Sequence, residues 1–222
     1  MTGMKPAMEP DNRIRCGWID QSRLSAADFV LYRDYHDTEW GRPLYGSPEL
    51  FERVSLEAFQ SGLSWLIILR KRDNFRAAFD GFDVERIARY GDRDVERLMS
   101  EPGIVRNRAK IEATIANARV VADMSDAGED LGELLWSFAP ADRATRSRPG
   151  SLADVAAVSP ESTAMAKALK KRGFRFVGPT TAYALMQATG MVDDHVADCW
   201  VPRVEATGAG RSANQKGPSG QL

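Results

Sequence analysis

Apolar residues in this chain recur at three- and four-residue spacing through most of residues 25–190, which is the period of a helix. No stretch shows the two-residue alternation of a half-buried strand. Ser25 with Asp28 makes a capping box before a helix that should reach residues 34–36. Ser47-Pro48 opens a second helix running to Ser61. Ser64 caps a third over 65–79, Asp83 a short one ending at Gly91, and another short helix covers 94–99. Residues 106–124 form a long amphipathic helix with Ile111, Ile115 and Ala118 on one stripe, and 131–138 a short helix. The polar stretch 139–158, with Pro140 and Pro149, is the longest internal loop. Ser159-Pro160 starts a helix carrying Ala164, Ala168 and Leu169 to Gly173, a C-cap glycine, and a last helix over 180–188 ends at Gly190. The pattern predicts an all-α protein without internal repeats.

The ends depart from this pattern. Residues 1–14 are polar with Pro and Gly and read as a loose tail, while 203–222 are rich in Gly, Ser and Ala and read as disordered. That leaves one domain over 15–202. The 222 residues are 43% hydrophobic and 27% charged, ordinary values for a globular chain long enough for one sizeable core or two lobes. Net charge is −1, so no global basic field attracts nucleic acid, and phosphate binding must come from local clusters. The clusters are Arg70-Lys71-Arg72, Arg106 with Arg108 and Lys110, Arg143–Arg148, and Lys170 through Arg175. No apolar run approaches the roughly 18 residues of a membrane helix, and the N-terminus carries no signal-peptide core, so a soluble, cytoplasmic protein without membrane contact is expected.

Three groups of residues carry candidate chemistry. The turn from Lys170 to Tyr183 ends one helix and starts the next, and presents Gly178 and free N–H groups beside Lys170, Lys171, Arg172 and Arg175. Such a helix start binds phosphate through its N–H groups and dipole; an ordinary αα-hairpin with a solvated basic cap fits equally. The chain's two cysteines and two histidines fall into two pairs, Cys16 with His36 and His195 with Cys199. The second pair is spaced i, i+4, one face of a helix, and together the four match the ligand count and softness of a closed tetrahedral zinc site. Two buried thiols and two unrelated imidazoles give the same sequence. Finally, Leu50, Val54, Glu57 and Ser61 share a helical face, which turns Glu57 toward the core or a pocket. A buried acid there is either a structural cap for N–H groups or a functional group. Trp18, Tyr35, Trp40 and Trp65 lie near it or near the Cys/His set, as core or as walls of a slot for a flat, electron-poor ring.

The motifs Arg15-Cys16-Gly17-Trp18, Tyr35-His36-Asp37, Glu39-Trp40-Gly41, Leu56-Glu57, Ser61-Gly62-Leu63-Ser64-Trp65, Lys167 to Gly178, and Asp194-His195-Val196 with Cys199 occur in order. In this the chain resembles the 3-methyladenine DNA glycosylase I family of bacterial repair enzymes, within the helix-hairpin-helix glycosylase superfamily, over residues 15–202. The resemblance implies an all-α fold of two helical lobes, with a structural Zn2+ on Cys16, His36, His195 and Cys199 joining the N- and C-terminal segments. It implies a catalytic role for Glu57, a base pocket of Trp18, Tyr35 and Trp65, Leu63 filling the gap in the duplex, and DNA contacts from Lys171, Arg172, Gly178, Thr180 and Thr181. Alkylated double-stranded DNA is the implied partner, free 3-methyladenine the product, and a monomer the working form. Strand-nicking superfamily members carry a lysine where this chain has Thr180, so base removal without strand cleavage is expected. Asp193 matches the superfamily's supporting aspartate; it either assists catalysis or caps a helix carrying His195 and Cys199, and the cap is the favoured reading. A non-catalytic DNA-binding module of the same fold, or a glycosylase for another alkylated base, are the competing readings.

Overall fold

The structure, a computed structural model, describes residues 11–204. Most of the proposed tails, residues 1–10 and 205–222, lies outside the described residues. Nine α-helices and no strand are found among the described residues: α1 Ala26–Thr38, α2 Ser47–Gln60, α3 Trp65–Ala78, α4 Val84–Ala88, α5 Asp92–Ser100, α6 Arg108–Asp126, α7 Leu131–Trp136, α8 Pro160–Lys171 and α9 Pro179–Ala188. Of the helix starts read from the sequence, Ser25, Asp83 and Ser159 cap as expected, whereas Ser64 precedes α3 without a side-chain cap bond and Ser47 lies inside α2 behind Gly46. Ser25, Asp83, Asn107, Asp130 and Ser159 each accept a hydrogen bond from a first-turn N–H of the helix they precede.

Helix α2 is the axis of the fold. Leu50, Phe51, Val54, Ser55, Leu56, Glu57, Ala58 and Phe59 are all buried, so the helix is covered on most sides, and it packs against α3, α6, α7 and α9. Its partners supply a stack of rings: Phe59 lies 4.6 Å from Phe75, and Phe79 stacks on Phe82 at 5.6 Å. Between α3 and α4 the chain turns through Asp80–Phe82, with Asp80, Gly81 and Phe82 all at positive φ. Phe82 offsets that unfavourable backbone by burying its ring.

Helices α8 and α9 pack against each other and are joined by Arg172–Gly178, with Gly173 at φ +99° just past the end of α8. After α9 the structure departs from expectation. Residues 191–204 contain no helix, so His195 and Cys199 are not one turn apart on a helical face, and Asp193 caps no helix, its Oδ1 accepting instead from the His195 N–H of the irregular turn at 3.3 Å. The segment is held instead by long-range backbone bonds, Ala197 N–H to the Pro149 carbonyl and Trp200 N–H to the Ile14 carbonyl. The i, i+4 spacing is met by an irregular turn, which sequence periodicity does not distinguish from helix.

Candidate functional site

Helix α2 carries Glu57 to the floor of a cavity of about 320 Å³. Trp18 enters from the segment before α1, Tyr32 and Tyr35 from α1, Trp40 from the turn after it, and Trp65 from the start of α3. Gln60 at the end of α2, Ala184 and Gln187 of α9, Asp194 beyond it, and Leu152 and Val155 of the long loop complete the lining. The rings brace one another: Trp18 meets Tyr32 at 4.7 Å and Trp40 at 5.3 Å edge to face, and Tyr35 lies tilted against Trp65 at 5.3 Å. Behind two of these walls, the Arg53 guanidinium sits 5.5 Å from both the Tyr35 and Trp65 ring centres. The result is a slot walled by π-faces.

Two buried polar atoms on its lining have no partner, Glu57 Oε2 and Trp65 Nε1. Burial pushes the Glu57 carboxyl up to about 7, against the pull of the nearby Arg53 charge. A structural acid bonded to helix N–H groups would show that oxygen satisfied; Glu57 does not. The slot therefore offers a desolvated carboxylate and an unused indole donor to a flat ligand, and it favours a ligand bearing a positive charge and N–H groups.

The second acid of the lining is Asp194, a residue the sequence reading passed over in favour of its neighbour. Asp194 Oδ2 accepts hydrogen bonds from Tyr183 Oη and Gln187 Nε2, each 2.8 Å long. Asp193 is turned toward other partners. It binds Arg148 Nε at 2.9 Å and lies 3.0 Å from His195 Nδ1. Burial works against its charge, yet those two bonds outweigh it and hold the carboxyl down to about 2. Tyr32 and Gln187 were also missed, although Tyr32 stands three residues before Tyr35, the spacing of a shared helix face.

Cys16, His36 and Cys199 converge with ligand atoms within 4.8 Å of one another. His195 stands beside them, its ring 5.0 Å from that of His36, and its buried Nε2 is the remaining unpartnered atom among the described residues. Each imidazole has its Nδ1 held by a carboxylate, His36 by Asp37 at 2.8 Å and His195 by Asp193, and His36 Nε2 lies 3.5 Å from Cys199 Sγ, while His195 is outside the group of three whose ligand atoms converge. Asp37 is itself fixed by Arg15 and by Trp200 Nε1. Burial lowers His36 to about 4 and raises the Cys16 thiol to about 12, which keeps these two donors neutral. The turn at Gly41, φ +75°, lies so close that a Cβ there would meet His195 Cε1 at 2.7 Å.

The remaining candidates lie on the outside. Leu63 is exposed in the turn between α2 and α3, beside Gly62 at φ +80°. Lys171, Arg172, Gly178 and Thr180 are exposed, and Thr181 partly so, around the α8–α9 turn. Arg172 is engaged in an ion pair with Glu129.

Residues 25–202 match the family model described as Methyladenine glycosylase. The chain is 44% identical to DNA-3-methyladenine glycosylase 1 of Escherichia coli (strain K12) over 185 residues, 83% of this chain and 95% of that protein. It is 42% identical to DNA-3-methyladenine glycosylase of Haemophilus influenzae over 185 residues, 83% of this chain and 96% of that one. A crystal structure of 3-methyladenine DNA glycosylase I superposes with a TM-score of 0.78 at 45% identity, covering 84% of this chain and 98% of that chain. A variant of 3-methyladenine DNA glycosylase I, solved in complex with 3-methyladenine, superposes with a TM-score of 0.75 at 33% identity, covering 85% and 97%. The chain belongs to the methyladenine glycosylase family.

Proposed function

We propose that this protein hydrolyses the N-glycosidic bond of N3-methyladenine in alkylated double-stranded DNA, with residues 15–202 as one catalytic domain of two helical lobes. The observation that carries this reading is Glu57, a buried acid with an unpartnered oxygen inside an aromatic slot. A base stacked in a duplex is out of reach, so the nucleotide must be flipped into the slot, which costs a few kcal/mol. N3-methylation makes adenine a cation and a ready leaving group, so strong general acid catalysis is not required. Glu57, as a carboxylate, accepts a hydrogen bond from the exocyclic amine and favours the charged base over neutral adenine. Trp18, Tyr35 and Trp65 sandwich the ring. As the C1′–N bond breaks, its electron pair leaves with the base, and water adds to the sugar cation. Asp194, fixed by Tyr183 and Gln187, supplies a second negative charge on the lining of the slot.

The α8–α9 turn is read as a helix-hairpin-helix element in which Lys171, Arg172, Gly178, Thr180 and Thr181 approach the DNA backbone, while Leu63 fills the space the flipped base leaves. Thr180 offers no amine for a Schiff base, so the strand stays intact. The donor set of Cys16, His36, Cys199 and His195, with its unpartnered Nε2 and carboxylate-braced imidazoles, fits Zn2+. Four protein ligands leave no place for an activated water, so the ion would tie the chain ends together; metal analysis finding no bound ion would remove this assignment. No helix among the described residues is long and apolar enough to cross a membrane.

The test is chromatography of bases released from methylated duplex DNA, with strand integrity followed in the same tube. Release of 3-methyladenine without nicking is expected. Absence of released base from folded, metal-replete protein would overturn the reading in favour of a non-catalytic DNA-binding module, and release of a different base would reassign the lesion.

A further inference from the structure

Three non-glycine residues among those described adopt positive φ: Asp80, Phe82 and Phe176. For a residue with a Cβ this backbone is unfavourable unless something offsets it. Asp80 accepts a hydrogen bond from Tyr90 Oη, and Phe82 buries its ring almost completely. Phe176, at φ +56°, has neither compensation. The residue is 42% exposed, in contrast to Phe82 at 1%, and its ring makes no ring or cation contact among the described residues.

The turn is nevertheless held in place. Asn117 of α6, itself buried, spends both ends of its amide on Arg175, accepting from its N–H at 2.8 Å and donating to its carbonyl at 3.2 Å. Phe174 and Val177 on either side point inward and are buried. Phe176 is therefore not left outside by looseness; the surrounding turn is gripped and its ring directed outward. From Ser162 to Val192 the sequence holds Lys167, Lys170, Lys171, Arg172 and Arg175 and no carboxylate; Glu129 neutralises Arg172, and the other four leave this segment basic in a chain whose net charge is −1. A polyanion with apolar patches between its charges matches such a surface, and the sugar faces between the phosphates of a DNA strand have that chemistry.

We propose that Phe176 is a DNA-contact residue, packing its ring on the deoxyribose of the strand whose phosphates face the α8–α9 turn. The inference rests on the glycosylase reading for its partner but adds an apolar anchor to what is otherwise a phosphate-binding turn. It explains why a bulky residue stands where glycine would be favoured: the ring is repaid in the complex, not in the free protein.

The test replaces Phe176 by Gly and, separately, by Asn, both of which tolerate positive φ without the ring. Affinity is measured for a duplex carrying a stable abasic-site analogue across a salt series, with melting temperature and free 3-methyladenine affinity measured in parallel. The expected result is a loss of duplex affinity of at least about fivefold for both variants, as for other aromatic contacts to nucleic acid. The slope of affinity against salt should not change, because no phosphate contact is lost. The melting temperature of Phe176→Gly should rise by roughly 2–4 °C as the strained backbone is relieved. Unchanged duplex affinity in either variant, or a salt slope reduced by about one, would overturn the proposal, the latter by showing that the turn and its phosphate contacts had been lost. Failure of the parent reading is distinguishable, since wild-type protein would then neither bind free 3-methyladenine nor release it from methylated duplex, whatever its affinity for the abasic duplex.

Discussion

The interior of this protein treats its polar groups in two ways. Around α6 and the α8–α9 turn every buried polar side chain is spent. Lys110 donates to the carbonyls of Phe59 and Ser61 at the end of α2, Thr114 to the Lys110 carbonyl, and Asn117 grips Arg175 at both ends. Around the slot and the Cys/His cluster, buried atoms stand unpartnered: Glu57 Oε2, Trp65 Nε1 and His195 Nε2. A satisfied network contributes to folding, whereas a buried unsatisfied group costs stability and persists where it serves another purpose. The two regions share α2, whose last turn is capped by Lys110 while Glu57, one turn earlier, faces the slot. Substitutions on the two sides should therefore move stability in opposite directions.

Glu57→Gln should give the largest effect. It keeps the shape of the side chain and removes the charge, and excision of 3-methyladenine is expected to fall by roughly 10²–10³-fold, as for other lost electrostatic groups in active sites. Stability should move the other way. The carboxyl lies at about 7 in the fold against an ordinary 4.5, so the folded state holds its proton more tightly than the unfolded chain. The stability this contributes is fully present below about 4.5 and is lost as pH rises through about 7. At pH 8 the Gln variant should melt higher than wild type, and at pH 4 the difference should vanish. A variant that loses activity and melts lower at pH 8 would assign Glu57 to the structural class and erase the contrast between the two regions.

Asn117→Leu probes the satisfied side. It leaves the Arg175 N–H and carbonyl without their partner, a loss of about 1–3 kcal/mol, which in a domain of this size lowers the melting temperature by roughly 2–10 °C. Calorimetry checks the stability. The affinity for free 3-methyladenine should remain at the wild-type value, because Asn117 does not line the slot. A matching loss of free-base affinity would show that the two regions are coupled through α6.

Much of this contrast was legible in the sequence, for identifiable reasons. Ser25, Asp83 and Ser159 announce their helices because capping is a local interaction, readable three residues away. Glu57 stood out because a carboxylate on the stripe of Leu50 and Val54 conflicts with burial. What failed was decided by distant chain. His195 and Cys199 meet Cys16 through a non-helical segment that is pinned to Pro149 and Ile14, far away in sequence. The choice between Asp193 and Asp194 turned on Arg148, Tyr183 and Gln187, none of which periodicity connects to them. Leu152 and Val155 reach the slot from a loop whose composition predicted only exposure.

The smallest expected effect, and the sharpest on the slot itself, is that of Arg53→Met. Arg53 stands one turn before Glu57 on α2, stacked behind Tyr35 and Trp65, and its charge opposes the desolvation that raises Glu57. Methionine keeps an apolar stem against the two rings and removes the charge. Glu39, which lies 3.5 Å from Arg53, retains its bidentate partner Arg72, so that acid is not left alone. If Glu57 must be ionised to hold the cationic base, excision in wild type rises with pH through about 7, and in Arg53→Met that rise should move to higher pH by no more than about one unit. The rate at the alkaline plateau should stay within about twofold of wild type, because no group touching the base has changed. A rise that stays in place, or moves to lower pH, would mean that burial alone sets the charge of Glu57 and that Arg53 only braces the aromatic walls.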